Sequence, residues 1–126
     1  LPRLFADKNL LIQIVLNLLK NATEASQEKG KIKMKTSFNS NKITSFGKED
    51  IPTPLPLQIE IIDFGIGIPS NLLSSIFNPF VSSKKEGKGL GLSIVANGLE
   101  EMGAVIDVTS NAGLTNFCMN FPLKRI

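Results

Sequence analysis

Two stretches of this chain repeat their apolar residues at helical spacing, and each is followed by a pair of strand-like segments rather than a single one. From Asp7 onward, Leu11, Val15, Leu18, Ala22 and Ala25 recur at intervals of four and three, on one side of a helix that Asp7 can cap and Gly30 can end. Lys31 to Phe38 then alternates, with Ile32, Met34 and Phe38 on one side and Lys31, Lys33 and Lys35 on the other, the pattern of a half-buried strand. Leu57 to Asp63 reads as a second strand, and Ser70 is positioned to cap a short helix through Phe77. Gly89 to Met102 carries Leu92, Val95, Leu99 and Met102 on one stripe, with Gly103 where a helix end favours a left-handed residue. Ala104 to Thr109 and Asn116 to Phe121 are the last two strands, joined through Asn111 and Gly113. This order does not alternate helix with strand, which argues against a doubly wound parallel sheet. It predicts an α/β (α+β) two-layer sandwich, a mixed and mainly antiparallel sheet covered on one face by helices.

The 126 residues suit one domain with its own core. Residues 39–56 are polar and carry Gly47, Pro52, Pro54 and Pro56, so neither helix nor central strand is expected there, only a surface excursion between paired strands. Residues 78–88 form a polar loop expected to move. The longest apolar run, Leu10 to Leu19, is broken by Gln13 and Asn17 and is too short to cross a membrane. With no histidine, chemistry based on a His-activated nucleophile or on His metal ligands is excluded within these residues, and the single Cys118 cannot pair within the chain. A net charge of +3 without Trp or Tyr, on scattered lysines, weighs against nucleic acid. Because the chain opens at Leu1-Pro2-Arg3 without Met, it is expected to be part of a longer protein.

Three clusters could carry chemistry. Asn17, Asn21 and Glu24 stand at i, i+4 and i+7, on one face of the first helix. A solvated face is the ordinary reading, but amide oxygens also suit a magnesium ion already neutralised by phosphates. Asp63-Phe64-Gly65-Ile66-Gly67-Ile68-Pro69 ends a strand in a carboxylate followed by two glycines. It is either a turn or a place where a flat ligand's amine meets the Asp and its ring approaches the backbone. Gly87-Lys88-Gly89-Leu90-Gly91-Leu92 opens a helix whose free N–H groups attract phosphate, although it is neither a P-loop nor a dinucleotide fingerprint.

Taken together, Asn17-x-x-x-Asn21, Asp63-x-Gly65-x-Gly67, Phe77-Asn78-Pro79-Phe80 and Gly87-x-Gly89-x-Gly91, in this order, resemble the N, G1, F and G2 boxes of the ATP-binding domain of sensor histidine kinases. Gyrase B, Hsp90 and the MutL proteins share that superfamily. Leu55-Pro56-Leu57 and Phe77 to Lys84 look most like the nitrogen-regulation (NtrB-type) kinases. The resemblance implies a Bergerat-type fold spanning the whole chain, with 78–88 as the ATP lid. It implies Asn21 as Mg²⁺ ligand, Asp63 as adenine partner with Thr115 beside it, and Gly65, Gly67 and Ile68 as the wall of the base pocket. It further implies that Ser83, Lys84, Gly87, Gly89, Leu90, Gly91 and Leu92 meet the triphosphate, with Asn17 and Lys84 serving catalysis.

The implied function is transfer of the γ-phosphoryl group of Mg·ATP to a histidine on an upstream dimerisation domain. That protein would be a cytoplasmic homodimer in a two-component phosphorelay for nitrogen regulation, partnered by an NtrC-type response regulator, with no membrane or nucleic-acid contact by this domain. ATP-hydrolysing relatives carry glutamate at the position matching Asn17, where an amide cannot accept water's proton. An anti-sigma-type serine kinase and a nucleotide-sensing module are the alternatives. The chain departs from the pattern at Phe64, expected in the core or against the base, at Lys88, and at Ala25, where relatives carry an aromatic.

Overall fold

The computed structural model describes residues 7–26, 30–38, 43–46, 51–78, 91–111 and 113–122. Asp7 starts the first helix, α1 (Lys8–Ser26), as its Oδ1 accepts the N–H groups of Asn9 at 2.9 Å and Leu10 at 3.2 Å. The buried line of α1 is Ile14, Leu18, Ala22 and Ser26, with Leu11 and Val15 only partly buried against the core. The expected stripe therefore missed Ile14. The reason is a second contact: a Cβ added to Gly98 would come 2.9 Å from Ile14 Cδ1 and 3.1 Å from Leu10 Cδ1. Gly98 belongs to α3 (Gly91–Glu101), so α1 is covered on its flank as well as from below.

Four strands form the sheet beneath the helices: β1 (Ile32–Phe38), β4 (Leu57–Asp63), β5 (Val105–Asn111) and β6 (Leu114–Phe121), in the order β1-β4-β6-β5. Every pairing among them is antiparallel, so the described sheet has no parallel component. Register puts Asp63 between Ile32 on one side and Thr115 on the other. Leu57 and Ile61 of β4, Phe117, Met119 and Phe121 of β6, and Ile14, Leu18, Val95 and Leu99 of the helices make one core. The opposite face of the sheet is polar. There Glu60 accepts hydrogen bonds from Gln58 at 3.1 Å and Asn116 at 3.0 Å, and the buried Asn120 donates to the Leu55 carbonyl at 3.2 Å.

Two expectations are corrected and one gains detail. All residues of β1 are exposed, on both sides, so it is not half-buried: among the described strands it stands at the edge of the sheet. The excursion at 39–56 contains an antiparallel ribbon of its own, β2 (Ile43–Phe46) with β3 (Ile51–Pro54). A separate two-stranded ribbon tolerates Pro52 and Pro54 because neither strand has to donate to neighbours on both sides. Ser70 does not cap a helix. The cap is Pro69, in extended geometry at φ −55° and ψ 137° without a side-chain bond, and α2 (Ser70–Leu73) is a single turn. Beyond it the N–H groups of Ser75 and Asn78 bond to the carbonyls of Leu72 and Ser75, which continues the chain in three-residue steps.

The end of α3 follows the expected logic. Gly103 takes φ +68°, its N–H bonds to the Glu100 carbonyl at 3.1 Å, and the Ala104 N–H bonds to the Leu99 carbonyl at 2.9 Å. An added Cβ would meet only Pro122 Cγ, at 4.0 Å, so the backbone alone opposes a side chain. Gly103→Ala is accordingly expected to lower stability by about 1 kcal/mol, read as a shifted denaturation midpoint with an unchanged slope.

Candidate functional site

A carboxylate at the end of a central strand is the feature around which the site is built. Asp63 is only 2% exposed. Burial pushes its carboxyl above the ordinary 3.8, and the hydrogen bond from the Gly65 N–H to Oδ1, at 3.0 Å, pulls it partly back. Among the described residues Oδ2 accepts no hydrogen bond. One oxygen is thus held by the protein and the other is available as an acceptor.

The segment after Asp63 is fastened at both flanks. The Ile66 N–H bonds to the carbonyl of Ala25, in the last turn of α1, at 3.3 Å. The Ile68 N–H donates to Ser110 Oγ at 2.7 Å, and Ser110 Oγ lies 2.8 Å from Thr115 Oγ1. Both glycines are required by these contacts. A Cβ on Gly65 would stand 2.1 Å from the Ala25 carbonyl oxygen, and Gly67, at φ +81°, would put one 2.8 Å from the Asn111 carbonyl oxygen. The position a Cβ would take at each is filled by the protein's own backbone, so both glycines let the loop pack closely against α1 and β5.

Thr115 is 2% exposed and lies opposite Asp63 in register, as the sequence reading placed it. Asn17 and Asn21 are half-buried and Glu24 is exposed. Leu10, Ile14, Asn17 and Asn21 follow one another at spacings of four, three and four, so both amides stand on the flank of α1 that meets α3. Gly91 is exposed at the first turn of α3, and Leu92 packs partly against the core. Of the expected lid at 78–88 only Asn78 is described; the rest of it, with Ser83, Lys84, Gly87 and Lys88, and Gly89 and Leu90 beyond it, lies outside the described residues.

Phe64 is 40% exposed, so it is not the core residue that was one of its two expected roles, and its ring lies 5.7 Å from Lys33 Nζ, on the β1 side. Sequence reasoning missed Ser110 and the carbonyl of Ala25. Only the register of β5 with β6, Ser110 opposite Thr115, exposes the first, and a backbone acceptor leaves no mark in a sequence.

Among the described residues no three His, Cys, Asp or Glu side chains gather to hold a metal ion. An amide oxygen such as that of the half-buried Asn21 is a hard neutral donor of the kind magnesium accepts beside phosphate oxygens. No described helix is long and apolar enough to cross a membrane.

The sequence profile of the histidine kinase-, DNA gyrase B- and HSP90-like ATPases matches residues 6–125. The sensory histidine kinase/phosphatase NtrB of Rhodobacter capsulatus is 42% identical over 98% of the chain, which spans 34% of that relative. Among solved structures, a nucleotide-free catalytic domain of the histidine kinase ThkA superposes with a TM-score of 0.74 at 30% identity, covering 95% of this chain and 71% of that one. Full-length ShkA in complex with AMPPNP gives 0.77 at 27% identity, covering all of this chain and 24% of ShkA.

The raised pKa of Asp63 has a testable sign. Between 3.8 and the higher native value the folded chain holds a proton that the unfolded chain has lost, so stability declines as pH rises through that window and stays reduced above it. Asp63→Asn keeps an oxygen for the Gly65 N–H and removes the charge. Its melting temperature relative to the parent chain is expected to climb as pH rises through the window and then level off at neutral pH, followed by circular dichroism.

Proposed function

Since the chain belongs to the histidine kinase-, DNA gyrase B- and HSP90-like ATPase family, we propose that it binds Mg·ATP and presents the γ-phosphoryl group to a histidine on another domain of a two-component sensor kinase. The observation that carries this reading is the buried Asp63 with one oxygen fixed by Gly65 and the other unengaged. A carboxylate in that setting accepts the exocyclic amine of adenine, and rejects bases that present an acceptor there, because leaving a buried acceptor opposite another acceptor is costly. Thr115 supplies a hydroxyl beside it, and Ile68 an apolar wall.

Asn21 is the proposed magnesium ligand on the protein, and magnesium when bound neutralises the triphosphate oxygens. Asn17, one turn earlier, orients the same groups. It has no titratable group, so it cannot activate water, and Glu24 lies about 10 Å farther along the axis at ~1.5 Å per residue. The N–H groups in the first turn of α3, at Gly91 and Leu92, point toward the helix N-terminus, a setting that suits phosphate. Ser83, Lys84, Gly87, Gly89 and Leu90 are assigned to the triphosphate through the family pattern, with Lys84 supplying positive charge near its end. ShkA, which binds AMPPNP, supports the nucleotide assignment. Since the chain has no histidine, the acceptor is supplied by another domain, and transfer rather than hydrolysis is the outcome of a site without a general base. Similarity to the sensory histidine kinase/phosphatase NtrB supports the sensor-kinase reading, and with it the proposal extends to nitrogen regulation, an NtrC-type response regulator, a homodimeric whole protein and a cytoplasmic setting.

Asn21→Ala is expected to weaken ATP binding by about 1–3 kcal/mol with magnesium present and to change it little in its absence, measured by titration calorimetry. With a histidine-bearing dimerisation domain added in trans, γ-labelled ATP is expected to label that domain and leave this chain unlabelled. Rapid release of phosphate by the chain alone would refute the donor-site reading.

A further inference from the structure

The polar groups at the Asp63 end of the sheet fall into one row. Register sets Asp63 of β4 opposite Thr115 of β6, and Thr115 opposite Ser110 of β5, so the three side chains stand side by side on the face that carries Ile61 and Phe117 into the core. Thr115 is 2% exposed and Ser110 is half-buried. Ser110 Oγ accepts the Ile68 N–H at 2.7 Å and lies 2.8 Å from Thr115 Oγ1. Neither hydroxyl has another partner among the described residues. The cluster does not close on itself. A hydroxyl has one proton to give, so the pair and the Ile68 N–H together bring three protons to two internal hydrogen bonds. One hydroxyl proton is left over. If Thr115 donates to Ser110, that proton sits on Ser110, at the end of the row farther from Asp63. If Ser110 donates to Thr115, it sits on Thr115, the neighbour of the carboxylate.

We propose that Ser110 is a positioning residue for recognition of the base: with its oxygen held by the Ile68 N–H, it donates to Thr115 and so turns the Thr115 O–H toward the ligand as a donor. That role rests on the proposed contact between Asp63 and the exocyclic amine of adenine, and extends it. Acceptor and donor then stand next to one another in the site. They match an edge on which an amine and a ring nitrogen are neighbours, as adenine presents at N1 and again at N7. A base acceptor facing Thr115 also decides between the two arrangements of the pair, because only the one in which Ser110 donates offers it a proton. Without Ser110 the Thr115 hydroxyl keeps its place in the row and loses the donor that sets its direction, so a lone pair faces the base as readily as the proton does.

The test compares ATP with 1-deaza-ATP and 7-deaza-ATP, each lacking one of the two ring acceptors, and with purine riboside triphosphate, which lacks the amine, by titration calorimetry with magnesium present. One of the deaza analogues is expected to bind the parent chain about fivefold more weakly than ATP, the worth of one hydrogen bond, and so to identify the nitrogen that Thr115 meets. In Ser110→Ala that gap is expected to close, because ATP loses affinity and the analogue does not. The gap between ATP and purine riboside triphosphate, which reports on Asp63, is expected to persist. Ser110→Cys fills the same space with a weaker donor and is expected to narrow the deaza gap in the same direction, which decides the matter if Ser110→Ala does not fold. A deaza gap that survives the substitutions, an equal loss of affinity for ATP and all the analogues, or no deaza gap in the parent chain would each overturn the inference and leave ATP binding through Asp63 in place. A parent chain that binds ATP no better than purine riboside triphosphate overturns the adenine reading, and this inference with it.

Discussion

Keeping a carboxylate out of water at the end of β4 is the costly step in this structure, and much of the surrounding geometry is arranged around it. Desolvation disfavours the charged form of Asp63, and the single backbone donor from Gly65 offsets only part of that. The donor is in place because Gly65 lies so close to Ala25 that no side chain fits between them. The same carbonyl takes the Ile66 N–H, so the last turn of α1 holds the loop while Ser110 holds it from β5. A helix end, a strand end and a loop thus share one small set of hydrogen bonds. Disturbing any of them reaches the carboxylate.

The packing above the sheet carries that arrangement outward. Gly98 lets α3 approach Ile14 and Leu10, and the flank of α1 fixed by this approach is the one bearing Asn17 and Asn21. The side of α1 on which the two amides stand is therefore fixed by a contact between apolar side chains and a missing Cβ. At the far side of the core, Phe77 meets Phe117 edge to face, with ring centroids 6.4 Å apart, and so ties the turns after α2 to the strand that carries Thr115.

Much of this was legible in the sequence because it rests on periodicity and on residues with narrow conformational roles. The cap at Asp7, the left-handed end at Gly103 and the strand ending in Asp63 all follow from local chemistry. What was not legible depends on neighbours. Alternation in β1 is the same whether or not a layer covers it, so exposure of Ile32 and Met34 could not be read. The stripe of α1 missed Ile14 because a second helix, not the sheet alone, defines its buried sector. Gly65 and Gly67 were recognisable as special, but a sequence does not say whether the space beside a glycine is kept for a ligand or filled by another part of the chain.

The β1–β4 pair has Asp63 at one end and, at the other, Phe38 opposite Leu57, where the chain departs into the β2–β3 ribbon and returns. Those ends are separated by the length of a strand, about 20 Å at ~3.4 Å per residue. Lengthening a connection between two already paired strands costs little, since closure entropy grows only slowly with loop length. The ribbon is therefore the natural graft point of the domain: a fluorophore or an affinity handle inserted there reports on the molecule from a strand's length away, without entering the chemistry at the opposite end.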